Sequence, residues 1–570
     1  MDSKFAKNIL LFLSSLGLVA FGQPAWNPWT GLIAACVGYA LFWQILLDIP
    51  TRSRRFWLAT IWFTSVQLIQ LSWALSHPYA YIYFVHFIVS LLMGMQFGLL
   101  GIWITRMTLK SVKKLLALAS FWTFMEWIRL YALSGLSWNP VGLALTSQLY
   151  PLQMASLWGV FGLSFWVMLV NLTSLKAWNT SPRFAGVWLI AAAVPYLYGF
   201  THFEWHHYAM QEQSSKDHAD PFYAVLVQTA FPAEETLDLS DRKQLLDYVL
   251  AEWRKILQIT KKQLGTSVNL IVLPEMVVPY GTYSFVYAYE EVVQIFKEVY
   301  GEQAIKALPI AEEGALVTCC YTPQGKRCFV NNAFWTQGIA NIFQAHLVIG
   351  LEDAEEFADG KREYYSSALY FSPQQELTRT AYPPIERYEK RVLVPMGEYI
   401  PFSFAKALAA QYGIYSSFTP GKGAKVVGDK LPMGLSICYE ETFGDLMREN
   451  KQCGAQLLVN LTSDVWYPNS RLPQQHFDHA RLRTVENGIP LIRACNTGVT
   501  AALDSLGQQV AYLGEGEENA EWIADSIRVQ VPKYTYKTLY SQVGDLLILG
   551  ICCFFSLFWL VDYRTRIAKK

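Results

Sequence analysis

Charge is scarce in the first 200 residues of this 570-residue chain, which contain 12 basic but only 3 acidic side chains. An ordinary soluble enzyme does not spread charge so thinly, so a purely cytosolic protein and a disordered chain are excluded. Lys+Arg and Asp+Glu both number 46 in the whole chain, which provides no basic surface for nucleic acid. The 9 cysteines show no Cys-x-x-Cys spacing, so neither a disulfide-framework miniprotein nor a thiolate metal site is expected.

Long apolar runs take the place of charge in this region and recur near the C-terminus. They lie at 8–22, 30–48, 56–75, 79–104, 115–134, 154–175, 184–200 and 543–561. A bilayer core requires about 20 mostly apolar residues per helix, so the runs predict eight transmembrane helices. The first run resembles a cleaved signal peptide, but Phe21-Gly22-Gln23 is a poor cleavage site, so a retained helix is preferred.

Lysine and arginine in the loops predict the orientation of these helices, because both residue types resist translocation. Loops 23–29, 76–78 and 135–153 contain neither type, whereas the alternate loops and the two ends hold every basic residue of the membrane parts except Arg129. Both termini are therefore expected in the cytoplasm. Segment 201–540, which connects spans seven and eight, is then expected on the far side of the membrane.

The predicted organisation has three parts: a transmembrane bundle at 1–200, an extracytoplasmic domain at 201–540, and a last span with a cytoplasmic tail at 541–570. Strand patterns in the middle part lie at 222–230, 268–273, 314–321, 330–335, 366–371, 433–437 and 456–460, and helix patterns at 240–264 and 471–488. Strands that alternate with helices predict an α/β sandwich. The aromatic stretch 276–310 has no obvious core partner, so we interpret it as a lid.

Several polar groups have no clear chemical role in the sequence. Cys320 and Cys328 flank a turn and either remain unpaired or form a hairpin disulfide in an oxidising compartment. Glu126 and Arg129 share one face of span five, which favours structural pairing near the outer surface.

Histidines cluster in two places. His202, His206 and His207 follow span seven and are expected to form an interfacial linker rather than a metal site. His476 and His479 share a helix face but lack a third ligand, so no metal is expected.

Three ionisable groups follow or adjoin strand-like runs. Glu275 ends Leu-Ile-Val-Leu-Pro-Glu, Lys390 precedes a hydrophobic turn, and Cys438 ends an apolar strand before the helical stretch Glu441–Glu449. Taken singly, they fit a solvated acid, a surface lysine and an inert thiol. Together they provide the groups that acyl transfer requires, because a carboxylate can deprotonate a thiol and a lysine can stabilise an oxyanion. The helix start after Cys438 is expected to favour thiolate.

These residues carry a resemblance to known families. The contexts of Glu275, Lys390 and Cys438 resemble the Glu-Lys-Cys triad of the nitrilase superfamily. With eight spans, Lys-x-x-Leu-Val-Pro-x-Gly-Glu-Tyr-x-Pro at 390–401 and Ile-Cys-Tyr-Glu at 437–440, essentially the whole chain is similar to the apolipoprotein N-acyltransferases of the bacterial inner membrane. The resemblance implies a multi-domain α + α/β protein, in which an eight-helix bundle carries a nitrilase-like αββα sandwich.

The resemblance also implies the reaction and its partners. Glu275, Lys390 and Cys438 are the catalytic residues of a ping-pong reaction that needs neither cofactor nor metal. Cys438 takes a fatty acyl chain from a phospholipid as a thioester. The chain then passes to the α-amino group of the N-terminal diacylglyceryl-cysteine of an apolipoprotein, the final step of lipoprotein maturation. The expected enzyme is a multi-pass monomer of the inner membrane with a periplasmic catalytic domain.

Further residues are expected to support the site. Glu398 and Glu440 are expected to orient Lys390 and the thiol turn, and Tyr439 to line the pocket. The aromatic segments Tyr280–Tyr289 and Tyr412–Phe418 are either arms that dip into the membrane interface or ordinary domain core.

Two other functions remain open from the sequence. A membrane-tethered nitrilase-type amidohydrolase would use the same triad with water as the final acceptor, but it would not need eight spans. A transporter with an accessory domain would need polar or broken helices, and the spans show few polar residues.

Overall fold

A computed structural model describes residues 3–23, 26–180, 183–217, 220–233, 237, 241–323, 325–374, 385–402 and 417–568. Residues 412–416 of the predicted aromatic arm Tyr412–Phe418 lie outside these ranges. The described chain forms a helical part and a sheet-containing part.

A helix coincides with each of the eight apolar runs. These helices are α1 Ser3–Ala20, α2 Pro28–Leu46, α3 Arg52–Gln70, α4 Tyr81–Ile102, α5 Val112–Trp127, α6 Ala155–Asn179, α7 Arg183–Asp217 and, at the C-terminal end, Leu546–Ala568. Local sequence explains where α2 begins, because the Asn27 side chain accepts hydrogen bonds from the backbone of Trp29 and Thr30, and Pro28 occupies the first turn. Helix α7 extends past residue 200, where the sequence placed a domain boundary.

Four helices of the described chain are long and apolar enough to cross a membrane. They are Pro28–Leu46, Tyr81–Ile102, Ala155–Asn179 and Arg183–Gln213, and Leu546–Trp559 is a shorter apolar helix. The remaining helices are too short or too polar to be identified as spans from length and composition alone. The structure therefore supports a helical bundle, and the number of eight spans stays a prediction.

Helices α3 and α4 pack closely because α4 presents small residues to α3. A Cβ atom added to Gly94 would lie 2.0 Å from Thr64 Oγ1, and one added to Gly98 would lie 2.3 Å from Thr60 Oγ1. Contacts of this kind are typical of helix association in membranes.

The second part is a four-layer α-β-β-α sandwich. Its strands are β1 Tyr223–Gln228, β2 Leu270–Val272, β3 Tyr287–Ala288, β4 Val317–Thr322, β5 Gly325–Val330, β6 His346–Glu356, β7 Arg362–Phe371, β8 Glu386–Glu389, β9 Val426–Val427, β10 Met433–Ile437, β11 Leu457–Thr462, β12 Leu491–Cys495, β13 Ala501–Leu503, β14 Gln509–Tyr512 and β15 Asp525–Gln530. One sheet has the order β15-β1-β2-β6-β7-β8 and the other β14-β13-β12-β11-β10-β9, while β3, β5 and β4 form a small third sheet.

Helices cover the outer face of each large sheet. The helices of this part, in chain order, are α8 Arg242–Lys261, α9 Tyr289–Tyr300, α10 Asn332–Phe343, α11 Gly444–Gln452 and α12 Leu472–Asn487, so the C-terminal helix becomes α13. Alternate strand residues face opposite sides. Thus Leu226 and Val272 pack between the sheets, whereas Val225 and Ile271 pack under the helices. These patterns confirm the predicted α/β sandwich.

Two predictions within this domain are wrong. The expected strand 330–335 ends at Val330, because Asn331 caps helix α10 by accepting a hydrogen bond from the Phe334 backbone N–H. The stretch 276–310 is not a lid throughout, because it contains α9, which buries its apolar face in the core. Within the expected arm Tyr280–Tyr289, Tyr283 is 41% exposed but Tyr287 is fully buried.

The disulfide joins Cys319, not Cys320, to Cys328. In the β4–β5 hairpin Cys319 lies directly opposite Cys328, whereas Cys320 lies opposite Arg327 and is exposed as a free thiol. A shift of one residue along a strand moves the side chain to the other face, so only one of the two adjacent cysteines reaches Cys328.

Polar groups of the helical part have other partners than the sequence suggested. Glu126 accepts hydrogen bonds from the Trp122 indole and the Val141 backbone, each at 2.8 Å. Arg129 donates to Gln96 at 2.7 Å. The predicted Glu126–Arg129 ion pair is therefore wrong as a direct contact, because each side chain is held by separate groups.

The histidines after span seven connect α7 to the segment that leads into α13. His206 Nδ1 lies 2.8 Å from the Tyr534 hydroxyl, and the His206 ring stacks on Tyr536 with centroids 3.9 Å apart. Across the described residues, no group of three or more His, Cys, Asp or Glu is arranged to hold a metal ion.

Candidate active site

The structure brings Glu275, Lys390 and Cys438 together. They follow β2, β8 and β10, so strands of both large sheets deliver them to one place. The carboxylate of Glu275 accepts from Lys390 Nζ at 2.8 Å, and Glu275 lies close enough to the Cys438 thiol for the two groups to influence each other's pKa. A base, a cation and a thiol therefore occupy one mostly buried site, with Lys390 only 1% exposed.

Lys390 lies between two carboxylates. Its ammonium donates to Glu275 and, at 2.6 Å, to Glu398, whose second oxygen accepts from the Val394 backbone. Burial works to lower the pKa of Lys390, but the charges of Glu275 and Glu398 outweigh it and raise the pKa well above the ordinary value. Lys390 is thus a fixed cation beside the thiol.

Burial raises the pKa of both partners of the proton transfer. For Glu275 burial opposes ionisation, and the Lys390 charge partly offsets it. For Cys438 burial raises the pKa well above its ordinary value, and the nearby charge of Glu275 adds to the effect. Both directions favour a thiol that needs a base, rather than the thiolate expected at a helix start.

Local geometry explains why the helix does not act on the sulfur. Cys438 adopts a left-handed backbone with φ of 52°, a conformation that non-glycine residues rarely adopt. A short 3-10 turn, Cys438–Thr442, follows, and helix α11 begins only at Gly444. Strained backbone of this kind is often found at functional sites, which makes Cys438 a candidate functional residue.

Glu440 connects the two loops that carry Lys390 and Cys438. Its carboxylate accepts from the backbone of Ile437 at 2.8 Å, from the backbone of Arg391 and Val392 at 2.6 and 3.2 Å, and from the Tyr388 hydroxyl at 2.8 Å. A fully buried carboxylate with four donors fixes the spacing between these loops. Burial raises the pKa of Glu440, and the backbone donors of Ile437 and Arg391 partly offset the rise.

Residues that follow Cys438 contact the loop after α5. The Tyr439 hydroxyl donates to the Gly135 carbonyl at 2.6 Å, and its ring stacks on Trp138 with centroids 5.8 Å apart. The hydroxyls of Ser137 and Thr442 hydrogen-bond at 2.5 Å. Tyr439, which was expected to line the pocket, is 8% exposed. Its hydrogen bond and ring contact connect the thiol turn to the helical part.

A second buried network lies under Cys438, and sequence reasoning missed it. His476 contacts the Cys438 carbonyl and the Asp464 carboxylate, and Arg493 bonds Glu441. The sequence singled out His476 only for the helix face that it shares with His479. No local pattern linked His476 or Arg493 to Asp464 or Glu441, because their contacts arise only when α12, β12 and the thiol turn pack together.

Similarity to known proteins extends over nearly the whole chain. A family model described as Carbon-nitrogen hydrolase matches residues 238–527, and one described as Apolipoprotein N-acyltransferase N-terminal domain matches residues 16–173. An apolipoprotein N-acyltransferase of Chlamydia muridarum is 32% identical over 562 residues, 96% of this chain and 95% of that protein. One of Chlamydia trachomatis serovar D is 32% identical over 585 residues, 99% of this chain and 98% of that protein.

Among solved structures, an amidase of Nesterenkonia AN1 from the nitrilase superfamily is 18% identical to this chain. That similarity covers 56% of this chain and 93% of the amidase, with a TM-score of 0.30.

Proposed function

The chain belongs to the apolipoprotein N-acyltransferase family, with a carbon-nitrogen hydrolase domain at 238–527, and from this premise we propose that Cys438 carries the acyl group that the enzyme transfers. The protein is an acyltransferase of lipoprotein biosynthesis. One observation carries the residue assignment: Lys390, 1% exposed, donates a hydrogen bond to Glu275, and both charges act on the neighbouring Cys438 thiol.

In the first half-reaction the acyl donor is a phospholipid. Glu275 takes the thiol proton of Cys438, and the sulfur attacks the ester carbonyl carbon of the lipid. Lys390 donates a hydrogen bond to the oxyanion that forms. The C–O bond of the ester then breaks, Glu275 returns its proton to the leaving oxygen, and lysophospholipid departs while the acyl chain remains as a thioester.

In the second half-reaction the acceptor is the α-amino group of an N-terminal diacylglyceryl-cysteine. An α-amine has a reference pKa of about 7.7–8.0, so a substantial fraction is neutral near pH 7. The neutral nitrogen attacks the thioester carbon, Glu275 takes the proton that nitrogen loses, and the C–S bond breaks. The proton then returns to sulfur, which regenerates the Cys438 thiol and releases the amide.

The contacts between the thiol turn and the helical part support a site close to the lipid surface. Tyr439 and Thr442 follow the nucleophile directly, and both bond the loop after α5. Two lipid substrates reach such a site without leaving the bilayer. Exclusion of water there protects the thioester from hydrolysis.

The proposed topology has eight spans, both termini in the cytoplasm and the catalytic domain on the periplasmic side of the bacterial inner membrane. The proposed parts are 1–200, 201–540 and 541–570. The absence of Lys and Arg from loops 23–29 and 135–153 supports it, as does the disulfide Cys319–Cys328, which suits an oxidising compartment. The proposed working unit is a monomer.

The covalent step is tested by intact mass spectrometry of the purified protein incubated with phospholipid. The wild type is expected to gain the mass of one acyl chain, which neutral hydroxylamine removes. The Cys438→Ala variant is expected to gain none, whereas Cys320→Ser, at an exposed thiol, is expected to behave as wild type. Retained transfer to a lipopeptide by Cys438→Ala would refute the nucleophile. Hydrolysis of a soluble amide without acyl transfer from phospholipid would favour the amidohydrolase alternative.

A further inference from the structure

His476 lies directly beneath the proposed nucleophile and is only 2% exposed. Its Nε2 atom is 3.2 Å from the backbone carbonyl oxygen of Cys438 and 3.2 Å from Glu441 Oε1. Its Nδ1 atom is 3.0 Å from Asp464 Oδ1. Every partner of the ring is therefore a carbonyl or carboxyl oxygen.

These partners decide the protonation of the ring. A backbone carbonyl only accepts hydrogen bonds, so Nε2 must carry a hydrogen to bond Cys438. An ionised carboxylate also only accepts, so Nδ1 must carry a hydrogen to bond Asp464. Donation to both partners requires a hydrogen on each ring nitrogen, which is the imidazolium form.

The surrounding charges balance this cation. Asp464 and Glu441 are acidic, and Arg493 Nη1 lies 2.8 Å from Glu441 Oε1, so two buried cations face two carboxyl groups. His479, on the next turn of α12, is kept neutral because burial, Arg483 and His476 lower its pKa well below its usual value.

We propose that His476 is a positioning residue for acyl transfer, an imidazolium that holds the Cys438 carbonyl in its left-handed turn and adds positive charge next to the nucleophile. The inference rests on the proposed role of Cys438. The turn needs such support because a non-glycine residue at φ of 52° is strained. Asn460 Nδ2 is the only other side-chain donor to this carbonyl among the described residues, and it lies at 3.3 Å.

The role predicts an effect on chemistry rather than on lipid binding, because His476 contacts the nucleophile's main chain. For His476→Gln, which retains a neutral donor, the maximum rate of acyl-enzyme formation from micellar dioleoyl phospholipid is expected to fall about 10- to 100-fold. The half-saturating lipid concentration is expected to stay unchanged. His346→Gln is the matched control, because His346 is a part-buried ring in the same sandwich that bonds Tyr370 and Ser372.

Asp464→Asn tests the charge separately from the fold, because it preserves shape and a hydrogen-bond acceptor. Without the carboxylate the ring gives up its proton more easily, so acyl-enzyme formation is expected to match wild type at acidic pH and to fall as pH rises, before the wild type does. This variant decides the question if His476→Gln fails to fold, as judged by thermal unfolding.

The possible results separate the two proposals. A wild type that forms no thioester refutes the proposed function itself. A wild type that forms it while His476→Gln acylates at the same rate overturns the positioning role, and so does an equal loss in His346→Gln. An Asp464→Asn pH profile identical to that of the wild type overturns the charged state of the ring.

Discussion

Lys390 donates from Nζ to Oε1 of Glu275 across 2.8 Å, in a pair whose lysine side chain is 1% exposed and whose glutamate side chain is 8% exposed. A buried carboxylate without such a partner would remain protonated, and a buried ammonium would lose its proton. The pair therefore keeps a base and a cation together in a site that excludes most water. In the proposed mechanism each group has one task in acyl transfer, and each stabilises the charge of the other.

Glu275→Gln removes the base and preserves the side-chain shape. Single-turnover formation of the acyl-enzyme is expected to slow by about 10²- to 10⁴-fold, the range typical of general-base catalysis. Burial raises the pKa of Glu275. The base form is thus lost as pH falls through a value above the ordinary one, so the wild-type rate should decline on the acid side and the residual rate of the variant should not. Glu313→Gln, on the distant β4 hairpin, is the control.

Glu440→Gln should destabilise the protein by about 1–3 kcal/mol, measured as the free energy of unfolding. A carboxylate accepts from four donors here, whereas an amide offers one oxygen and turns its NH₂ group toward N–H groups that need an acceptor. An unchanged unfolding free energy would show that the loops of Lys390 and Cys438 are spaced by other contacts.

Tyr439→Phe deletes the hydrogen bond to Gly135 and leaves the ring stacked on Trp138. The loss of one buried neutral hydrogen bond corresponds to about 0.5–1.5 kcal/mol, so acyl-enzyme formation should slow about 2- to 10-fold if the contact positions the thiol turn. Tyr289→Phe, on the far helix α9, serves as the control. Equal rates in the wild type, Tyr439→Phe and Tyr289→Phe would show that the contact with the loop after α5 does not position the thiol turn.

Glu486→Gln should flatten the pH dependence of stability. Burial raises the pKa of Glu486 to about 7, and Arg483 partly offsets the rise. Because the folded pKa exceeds that of the unfolded chain, the folded state binds the extra proton and stability falls as pH rises from about 4.5 to 7, by roughly 1 kcal/mol per pH unit. Thermal unfolding between pH 5 and 8 should show a shallower decline in the variant, while exposed Glu291→Gln should follow the wild type. A parallel decline in Glu486→Gln would contradict this assignment.

Cys320 provides a test of topology because its thiol is exposed and free. In spheroplasts, a membrane-impermeant maleimide should label the Cys438→Ala/Cys453→Ser protein, which retains Cys320, and should not label the Cys320→Ser/Cys438→Ala/Cys453→Ser protein. Labelling that appears only after the membrane is permeabilised would place the catalytic domain in the cytoplasm and overturn the proposed orientation.

The sequence predicted the parts that depend on local pattern. Apolar runs located the helices, and strands such as Met433–Ile437 and Leu457–Thr462 were recognisable from buried, strand-length segments. Glu275, Lys390 and Cys438 were candidates because each adjoins such a segment, and the family resemblance, now confirmed by full-length relatives, grouped them.

The sequence failed where the outcome depends on packing between distant segments. The apolar run through Val330 suggested a continued strand, but the cap at Asn331 and the core contacts of Phe334 and Trp335 favour a helix. Hairpin register selected Cys319 over its neighbour. His476 contacts the Cys438 carbonyl, which lies 38 residues away in the sequence. Helix and strand periodicity relate only residues that are close in sequence, so they could not predict this contact.

The stacked rings of His206 and Tyr536 join two segments, helix α7 and the segment that leads into α13. Through these two segments the sheet-containing domain is attached to the helices. A domain attached through two segments that pack against each other is expected to move less than one attached through a single flexible linker. In the proposed topology, we therefore expect the Cys438 sulfur to stay at one height above the bilayer throughout the reaction cycle. Diffusion of lipids within the leaflet, rather than movement of the thiol, is then expected to bring the two proposed substrates in turn to the same atom.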